Sequence, residues 1–429
     1  MENFNIKRIM IVSCVFILIA IVGVFTIPKL GLNNSKDVYA EDLMKNINAK
    51  NIHNKNINNN FINNYCDFSV DLFKNSINYV DNFLISPTSV YLALAMTSNG
   101  ADKDTLKEFE SLLGGIGVDL SNINENANSM INRFTEEDES KVSIANSIWY
   151  RDETSLKVNN EFLEVNGQYY GSDIYKADFN SKDTINYINN WVKKGTNGLI
   201  DKIVEHIDND TIMYLINTLY FEGQWGTPYE ENQISKEEFT NSKNEKQKVE
   251  FMFSRENKYI ENANSRGFIK PYMGNKYSFV ALLPNKGISI EEYVATLGGG
   301  EYLNLISNVA DEGVMVKIPK FTSECELELN DILKKIGLQE AFNVEKANFS
   351  KMATSSYGNI YIGNVLHKTH IQVDIWGTKA GAATKVEMKT ESAVMEPPKQ
   401  VFLDRPFIYG IIDNETGMPL FLGVMNSAK

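Results

Sequence analysis

Histidine and the familiar catalytic motifs are scarce in this chain of 429 residues. It contains no Gly-x-Ser-x-Gly, His-Glu-x-x-His, Cys-x-x-Cys or Walker sequence, which argues against hydrolase, zinc-protease, dithiol and nucleotide chemistry. Only four histidines are present. His367 and His370 are three residues apart in a strand-like segment, so their side chains should point to opposite faces and share no metal. We expect no catalytic residue, no metal and no cofactor.

Disulfide bonds and an excess of positive charge are lacking as well. Of the three cysteines, Cys14 lies in an N-terminal apolar run. Nothing in the spacing supports a bridge between Cys66 and Cys325, so we expect two free thiols. The formal net charge is −13, and an acidic surface repels nucleic acid and anionic membranes. Neither is expected as a partner.

The N-terminus carries one long hydrophobic run. Lys7 and Arg8 precede residues 9–27, which are apolar and numerous enough to span a bilayer. Val38-Tyr39-Ala40 then supplies residues that a signal peptidase can read. We expect residues 1–40 to be a cleaved secretory signal, with an uncleaved membrane segment at residues 9–27 as the alternative. The remaining chain is then secreted, or anchored on the outer face of the cell membrane.

The next segment, residues 41–64, is polar and rich in asparagine. Such a composition indicates a tether or a frayed first helix, without chemistry of its own. The globular part begins near Tyr65. We therefore divide the chain into a leader (residues 1–40), a tether (41–64) and one domain (65–429), which we expect to be monomeric.

The most informative stretch is residues 377–392, whose first half is rich in glycine, alanine and threonine. Small or apolar residues alternate there with residues that carry nearly all of the charge. The small or apolar positions are Thr378, Ala380, Ala382, Thr384, Val386 and Met388. The positions between them, which carry the charge, are Lys379, Gly381, Ala383, Lys385, Glu387 and Lys389. A period of two indicates a half-buried strand, although the composition is that of a loop.

This stretch carries a family resemblance. The hinge of a serpin reactive-centre loop is similar to the run Gly377-Thr378-Lys379-Ala380-Gly381-Ala382-Ala383-Thr384. Serpins are serine-protease inhibitors in which an exposed loop is cleaved and then inserts as a strand into a β-sheet. Residues 401–411 are similar to the family signature just past the loop. Phe221, Gly223 and Trp225 match the Phe-x-Gly-x-Trp that ends the third strand of the main serpin sheet.

The resemblance covers about residues 65–429 and implies an α+β fold. Three β-sheets, eight or nine helices and an exposed reactive-centre loop are expected. Hydrophobic patterns agree, predicting a buried helix after Pro87, strands over residues 142–150 and 211–225, an amphipathic helix over 184–192 and a strand over 357–374 that feeds the loop.

Four polar residues resemble the buried cluster that serpins place behind the central strands. They are Ser86, Ser89, Asn217 and His367. In the family this cluster keeps the sheet shut and rearranges when the loop enters, so its role is conformational rather than catalytic. Trp225, from the strand-ending motif, is added to this conformational set.

The composition of the hinge favours an inhibitor. Insertion between two strands requires small inward-facing residues and no proline, and the first proline after Gly377 is Pro397. Ile375, Trp376 and Lys379 depart from the acidic residues usual in the family. If Trp376 blocks insertion, the alternative function is that of a non-inhibitory binding or chaperone-like protein on the serpin scaffold.

Counted from Gly377 by the loop length usual in serpins, the resemblance implies a reactive bond between Glu391 and Ser392, with bonds at Met388, Val394 or elsewhere as lesser alternatives. This implies a serine protease with a positively charged specificity pocket, such as a glutamate-preferring enzyme. The bond between Lys389 and Thr390 is the alternative and would suit a trypsin-like enzyme. A subtilisin-like enzyme is a third possible target class.

Overall fold

The computed structural model describes residues 40–45, 47, 52, 57–153, 155–208, 211–356, 358–378 and 398–428. Within these ranges the chain forms nine α-helices, three β-sheets and one two-stranded pair. This is the expected α+β architecture. No helix of the described ranges is long and apolar enough to cross a bilayer. The predicted leader, up to residue 39, and loop residues 379–397 lie outside these ranges.

The structure has nine α-helices in the described residues, of which α2 and α6 pack on the two faces of the largest sheet. They are α1 (Asn59–Ser76), α2 (Pro87–Ser98), α3 (Lys103–Phe109), α4 (Leu120–Phe134), α5 (Asn160–Tyr170), α6 (Lys182–Gly195), α7 (Ile290–Thr296), α8 (Gly299–Ser307) and α9 (Asn330–Lys335). Ser86 caps α2 by accepting the Ser89 N–H, and Pro87 occupies the first turn, where a missing N–H costs nothing. Every residue of α2 is buried, as its apolar sequence predicts.

The largest sheet, sheet A, contains the hinge. Its strands, in spatial order, are β1 (Ala40–Asp42), β5 (Asp173–Ala177), β3 (Lys141–Arg151), β6 (Met213–Gln224), β16 (Gly377–Thr378), β15 (Leu366–Val373) and β13 (Phe321–Glu328). β3 and β6 form a long antiparallel pair at its centre. The strands predicted over residues 142–150 and 211–225 are confirmed.

Two further sheets and a short pair complete the fold. Sheet B consists of β2 (Phe83–Ile85), β19 (Pro419–Met425), β18 (Phe407–Asp413), β11 (Tyr277–Pro284), β10 (Ser265–Pro271) and β9 (Tyr259–Glu261). Sheet C consists of β17 (Lys399–Phe402), β12 (Val314–Pro319), β8 (Lys246–Glu256) and β7 (Ile234–Thr240). The pair is β14 (Ala353–Thr354) with β4 (Lys157–Val158).

Sheet A is buried on both faces over β6. Leu215 and Phe221 point into the main core with α2 and sheet B, whereas Ile216 lies in a second apolar cluster with Ile188 and Trp191 of α6. The period of two along β6 therefore assigns odd-numbered residues to the main core and even-numbered residues to the α6 side.

The described residues add detail at two predicted boundaries. The tether assigned to residues 41–64 is partly folded: β1 pairs with β5, Met44 is buried, and α1 begins at Asn59. Apolar side chains scattered in this polar run pack in the core or against it. β1 forms because the outer edge of β5 has backbone N–H and C=O groups that would otherwise be unpaired. The strand expected over residues 357–374 is confirmed only from Leu366, because the preceding described residues are irregular although largely apolar.

Candidate functional site

The hinge is already part of sheet A. Gly377 and Thr378 form β16, which pairs with Gln224 and Gly223 of β6 on one side and, through Thr378, with Val373 of β15 on the other. Among the described residues β6 and β15 share no ladder of their own. The first two residues of the predicted inserting strand therefore stand between the two strands that would receive the rest.

A tight reverse turn leads from β15 into the hinge. Asp374 donates its N–H to the Gly377 carbonyl at 2.9 Å, with Ile375 and Trp376 at the two central positions. Gly377 has φ +151°, and a Cβ there would overlap the carbonyl oxygen of Gly223. Glycine is required at this position both for the backbone conformation and for the close approach to β6.

Thr378 is the buried anchor of the hinge. Its side chain is 2% exposed, and its hydroxyl lies 2.6 Å from the Tyr272 hydroxyl. The ring of Tyr272 in turn stacks on Trp225, with centroids 4.9 Å apart and planes inclined by 6°. Burial raises the pKa of Tyr272 well above its ordinary value, so both hydroxyls stay neutral and share one hydrogen bond.

Trp225 holds the turn that precedes the hinge. Its indole Nε1 donates to the Asp374 carbonyl at 2.8 Å, and its backbone N–H donates to the Trp376 carbonyl at 2.8 Å. Tyr229 adds a third bond by donating its N–H to the Ile375 carbonyl at 3.1 Å. Trp225 was predicted as part of the Ser–His–Asn set, but it lies at the hinge and shares no hydrogen bond with that set in the described residues.

Three of the four predicted polar residues form one hydrogen-bonded group at the start of α2. The Ser86 N–H donates to His367 Nε2 at 3.1 Å, the Ser86 hydroxyl donates to the Leu420 carbonyl at 2.9 Å, and the Ser89 N–H donates to the Ser86 hydroxyl. Burial lowers the pKa of His367 to about 4. The imidazole is therefore neutral near pH 7, which its role as an acceptor requires.

Asn217 joins this group only weakly. Its backbone carbonyl accepts from the Ser89 hydroxyl at 3.5 Å, while its side-chain amide donates to the Asn146 side chain. In the described part of the chain it makes no hydrogen bond to His367, and its Oδ1 is buried without a partner. Asn217 lies on β6 and His367 on β15, the two strands that flank β16, and each is on the face of its strand that points to the main core.

The remaining predicted site residues lie outside the described ranges. These are Ala380, Gly381, Ala382, Ala383 and Thr384 of the hinge, and Lys389, Thr390, Glu391 and Ser392 of the two candidate bonds. In the ranges that are described, no group of three or more His, Cys, Asp or Glu side chains could bind a metal. Cys66 and Cys325 are free thiols.

The two strand histidines behave as their spacing predicts. His367 is buried, whereas His370 lies on the opposite face of β15, where its Nδ1 is 2.7 Å from a Glu324 carboxylate oxygen. Sequence reasoning missed Tyr272, which contacts Thr378 of the hinge, and Tyr229, which contacts the turn before it. Both are aromatic residues in loops, and no periodic signal marks them before the sheets are assembled.

Comparison with known proteins identifies the family. A sequence model described as Serpin (serine protease inhibitor) matches residues 63–428. An uncharacterized serpin-like protein of Thermococcus kodakarensis is 30% identical over 367 residues, covering 84% of each chain. Human neuroserpin is 29% identical over 378 residues, covering 83% of this chain and 89% of its own. The crystal structure of the thermophilic serpin tengpin in its native state is 46% identical with a TM-score of 0.86, covering 91% of this chain and all of its own. The chain belongs to the serpin family.

Proposed function

We propose that this serpin inhibits a serine-type endopeptidase outside the cell, as a monomer, by insertion of its cleaved loop into sheet A. Serpins are generally protease inhibitors. The observation that carries the proposal is the position of Gly377 and Thr378 between β6 and β15. Because Gly377 and Thr378 already lie between the two strands, the rest of the loop could pair one residue after another. The entropy cost of first bringing the loop to the sheet would then not have to be overcome.

The register of β16 specifies where each further residue would pair. One step forward along the loop is one step back along both β6 and β15, because β16 is antiparallel to each. Ten residues past Thr378, Met388 would face Met213, the first residue of β6. The segment up to Met388 therefore matches the length of β6, and the candidate bonds follow immediately.

The same register explains the alternation in the loop sequence. Thr378 points into the main core, so the even-numbered residues up to Met388 would do the same in an extended strand. These are the small or apolar residues. The odd-numbered residues, which carry the charge, would lie on the opposite face, where Lys368 of β15 is partly exposed and pairs with Glu326. Sequence and register agree on which residues would face the main core.

The chemistry uses the target's own catalytic machinery. The protease serine oxygen attacks the carbonyl of Glu391, the amine of Ser392 leaves with a proton, and an ester joins the two proteins. Insertion of the freed loop then has to precede attack by water on that ester. Added backbone pairing and burial of the even-numbered side chains supply the driving force.

Trp376 does not support the non-inhibitory alternative. It occupies the turn before the hinge, its side chain is 36% exposed, and only its backbone carbonyl contacts Trp225. A side chain in this position stays outside the gap between β6 and β15. This position of Trp376 supports the inhibitory proposal over the non-inhibitory alternative.

The direct test is incubation of the purified protein with a glutamate-specific, a trypsin-like and a subtilisin-like serine protease. A covalent complex that survives denaturing electrophoresis, with a released peptide that begins at Ser392 by mass, is the expected result. A peptide beginning at Thr390 would move the bond to Lys389 and change the target class. Cleavage with every protease still active would overturn the proposal.

Two neighbouring alanines provide a matched pair for the insertion step. In this register Ala382→Arg places a guanidinium on the face of the main core, between Leu219 and Thr369. Ala383→Arg places the same group on the opposite face, between the buried Thr218 and the partly exposed Lys368, from which a long side chain can reach solvent. We expect the first variant to be cleaved as a substrate without forming a complex, because a buried unpaired charge costs several kcal/mol. The second should retain most complex formation. Equal behaviour of the two variants would contradict the proposed register.

A further inference from the structure

A buried ion pair lies against the loop 225–229, whose two ends are hydrogen-bonded to the hinge turn. Lys270, the penultimate residue of β10, places its Nζ 2.7 Å from Oε1 of Glu256, the last residue of β8. Their side chains are 2% and 9% exposed. Charged residues are almost never buried this deeply unless they are paired, and such a pair adds little to stability on average. Its presence in this place calls for a reason other than stability.

The lysine contacts the segment that receives the hinge. Its Nζ lies 4.6 Å from the ring centroid of Tyr229 and 5.3 Å from that of Trp225. These two residues are the ends of the loop 225–229, and their backbone N–H groups hold the carbonyls of Ile375 and Trp376. The cation therefore attracts both ends of the loop on which the turn before Gly377 rests.

The glutamate orients the lysine and is itself fixed. Oε1 of Glu256 also accepts from the Ser254 hydroxyl, which lies 3.2 Å from the Tyr229 hydroxyl. Burial opposes the charge on Lys270, but Tyr229 and Glu256 outweigh it and raise the pKa of the ammonium group. The lysine stays charged, so both ring contacts persist across the physiological pH range.

We propose that Lys270, oriented by Glu256, is a positioning residue for loop insertion: it fixes residues 225–229 and thereby the turn from which the inserting strand grows. The kinetic consequence rests on the proposed inhibitory function. If the turn is anchored, the cleaved loop extends from Thr378 at once. If it is loose, Gly377 and Thr378 leave the gap and insertion has to nucleate again before the ester is hydrolysed.

The informative variant removes both charges and keeps the bulk, Lys270→Met with Glu256→Met, in the full chain. A pair with only a space-filling role can be replaced by apolar residues of similar volume without loss. The matched control is Lys317→Met with Glu237→Met. Lys317 Nζ is 2.6 Å from a Glu237 carboxylate oxygen and 4.5 Å from the ring centroids of Phe253 and Phe402, so it makes an ion pair and two ring contacts of the same kind on sheet C, with side chains that are 16% and 37% exposed.

Two readouts follow. Amide hydrogen exchange at Trp225 and Tyr229 is expected to rise roughly tenfold in the Lys270/Glu256 variant and to remain unchanged in the control, since two cation–π contacts are lost. With a protease that the wild type traps, loop cleavage should keep its rate while the fraction of inhibitor cleaved without trapping rises. Wild-type exchange at both amides in a folded double variant would overturn the inference. A wild type that traps no protease would overturn the proposed function instead, and the exchange measurement would still decide the role of Lys270.

Discussion

The most direct perturbation of the hinge is at Thr378. In Thr378→Arg, a guanidinium replaces a hydroxyl in a position that is 2% exposed and bordered by Gly223, Val373 and Tyr272. An unpaired buried charge costs about 4 kcal/mol or more. We therefore expect the arginine side chain to move out from between β6 and β15 and to displace Gly377 and the arginine itself from sheet A. A barrier raised by that amount slows insertion by about a thousandfold, since each 1.4 kcal/mol is a factor of ten.

Thr378→Val separates charge from hydrogen bonding at the same site. The valine keeps the volume of the side chain but removes the hydrogen bond to the Tyr272 hydroxyl. Because that buried hydroxyl is then left without a partner, the loss costs about 1.4 kcal/mol. The expected slowing of insertion is then about tenfold. The assay is the number of inhibitor molecules consumed for each protease molecule trapped, at equal rates of loop cleavage. An arginine variant that traps protease as efficiently as the wild type would refute the hinge assignment.

Three further predictions concern folding and the hinge. His367 has a pKa of about 4 when folded and about 6.5 when unfolded. Its contribution to the free energy of unfolding is therefore complete above pH 6.5 and is lost as the pH falls towards 4, by at most about 3 kcal/mol. In urea unfolding the wild type should lose more stability than His367→Gln over this pH range, and an equal pH dependence of the two would contradict this reasoning. Gly377→Ala is expected to abolish trapping but not loop cleavage, because its Cβ overlaps the Gly223 carbonyl; retained complex on a denaturing gel would contradict this. Arg133→Met should destabilise the fold by about 3 to 5 kcal/mol, since it strips a bidentate partner from the fully buried Asp413, and an unchanged urea midpoint would count against it.

The elements with strong periodicity could be predicted from the sequence. β3, β6 and α6 carry regular alternation or an amphipathic stripe, and Ser86 with Pro87 is a local signal for the start of α2. The hinge is predicted for a related reason, because its alternation contradicts its composition. The edge strand β1 could not be found this way: three residues, Ala40–Asp42, are too few to show a period, and their pairing depends on the exposed edge of β5.

Contacts between distant segments account for the rest. Tyr272 contacts the hinge, and Lys270 with Glu256 contacts the loop 225–229, only after β8, β10 and β6 have packed together. A lysine and a glutamate separated by thirteen residues look like surface charges in any acidic chain, and their burial is a property of the assembled sheets. The position of Trp225 illustrates the same limit, since the motif marks the residue but not the part of the site to which it belongs.

The separation of Asn217 from His367 has a simple explanation if the loop inserts in the register of β16. Six residues past Thr378 on the loop is Thr384, and six residues before Gly223 and Val373 are Asn217 and His367. Thr384 would therefore arrive between the two, on the same inward face, with a hydroxyl that can donate to the unpartnered Oδ1 of Asn217. That buried acceptor has no partner among the described residues, and an unsatisfied buried acceptor costs about 1 to 3 kcal/mol. If the loop inserts in this register, Thr384 would remove this cost, and Asn217 would then contribute to the driving force of insertion.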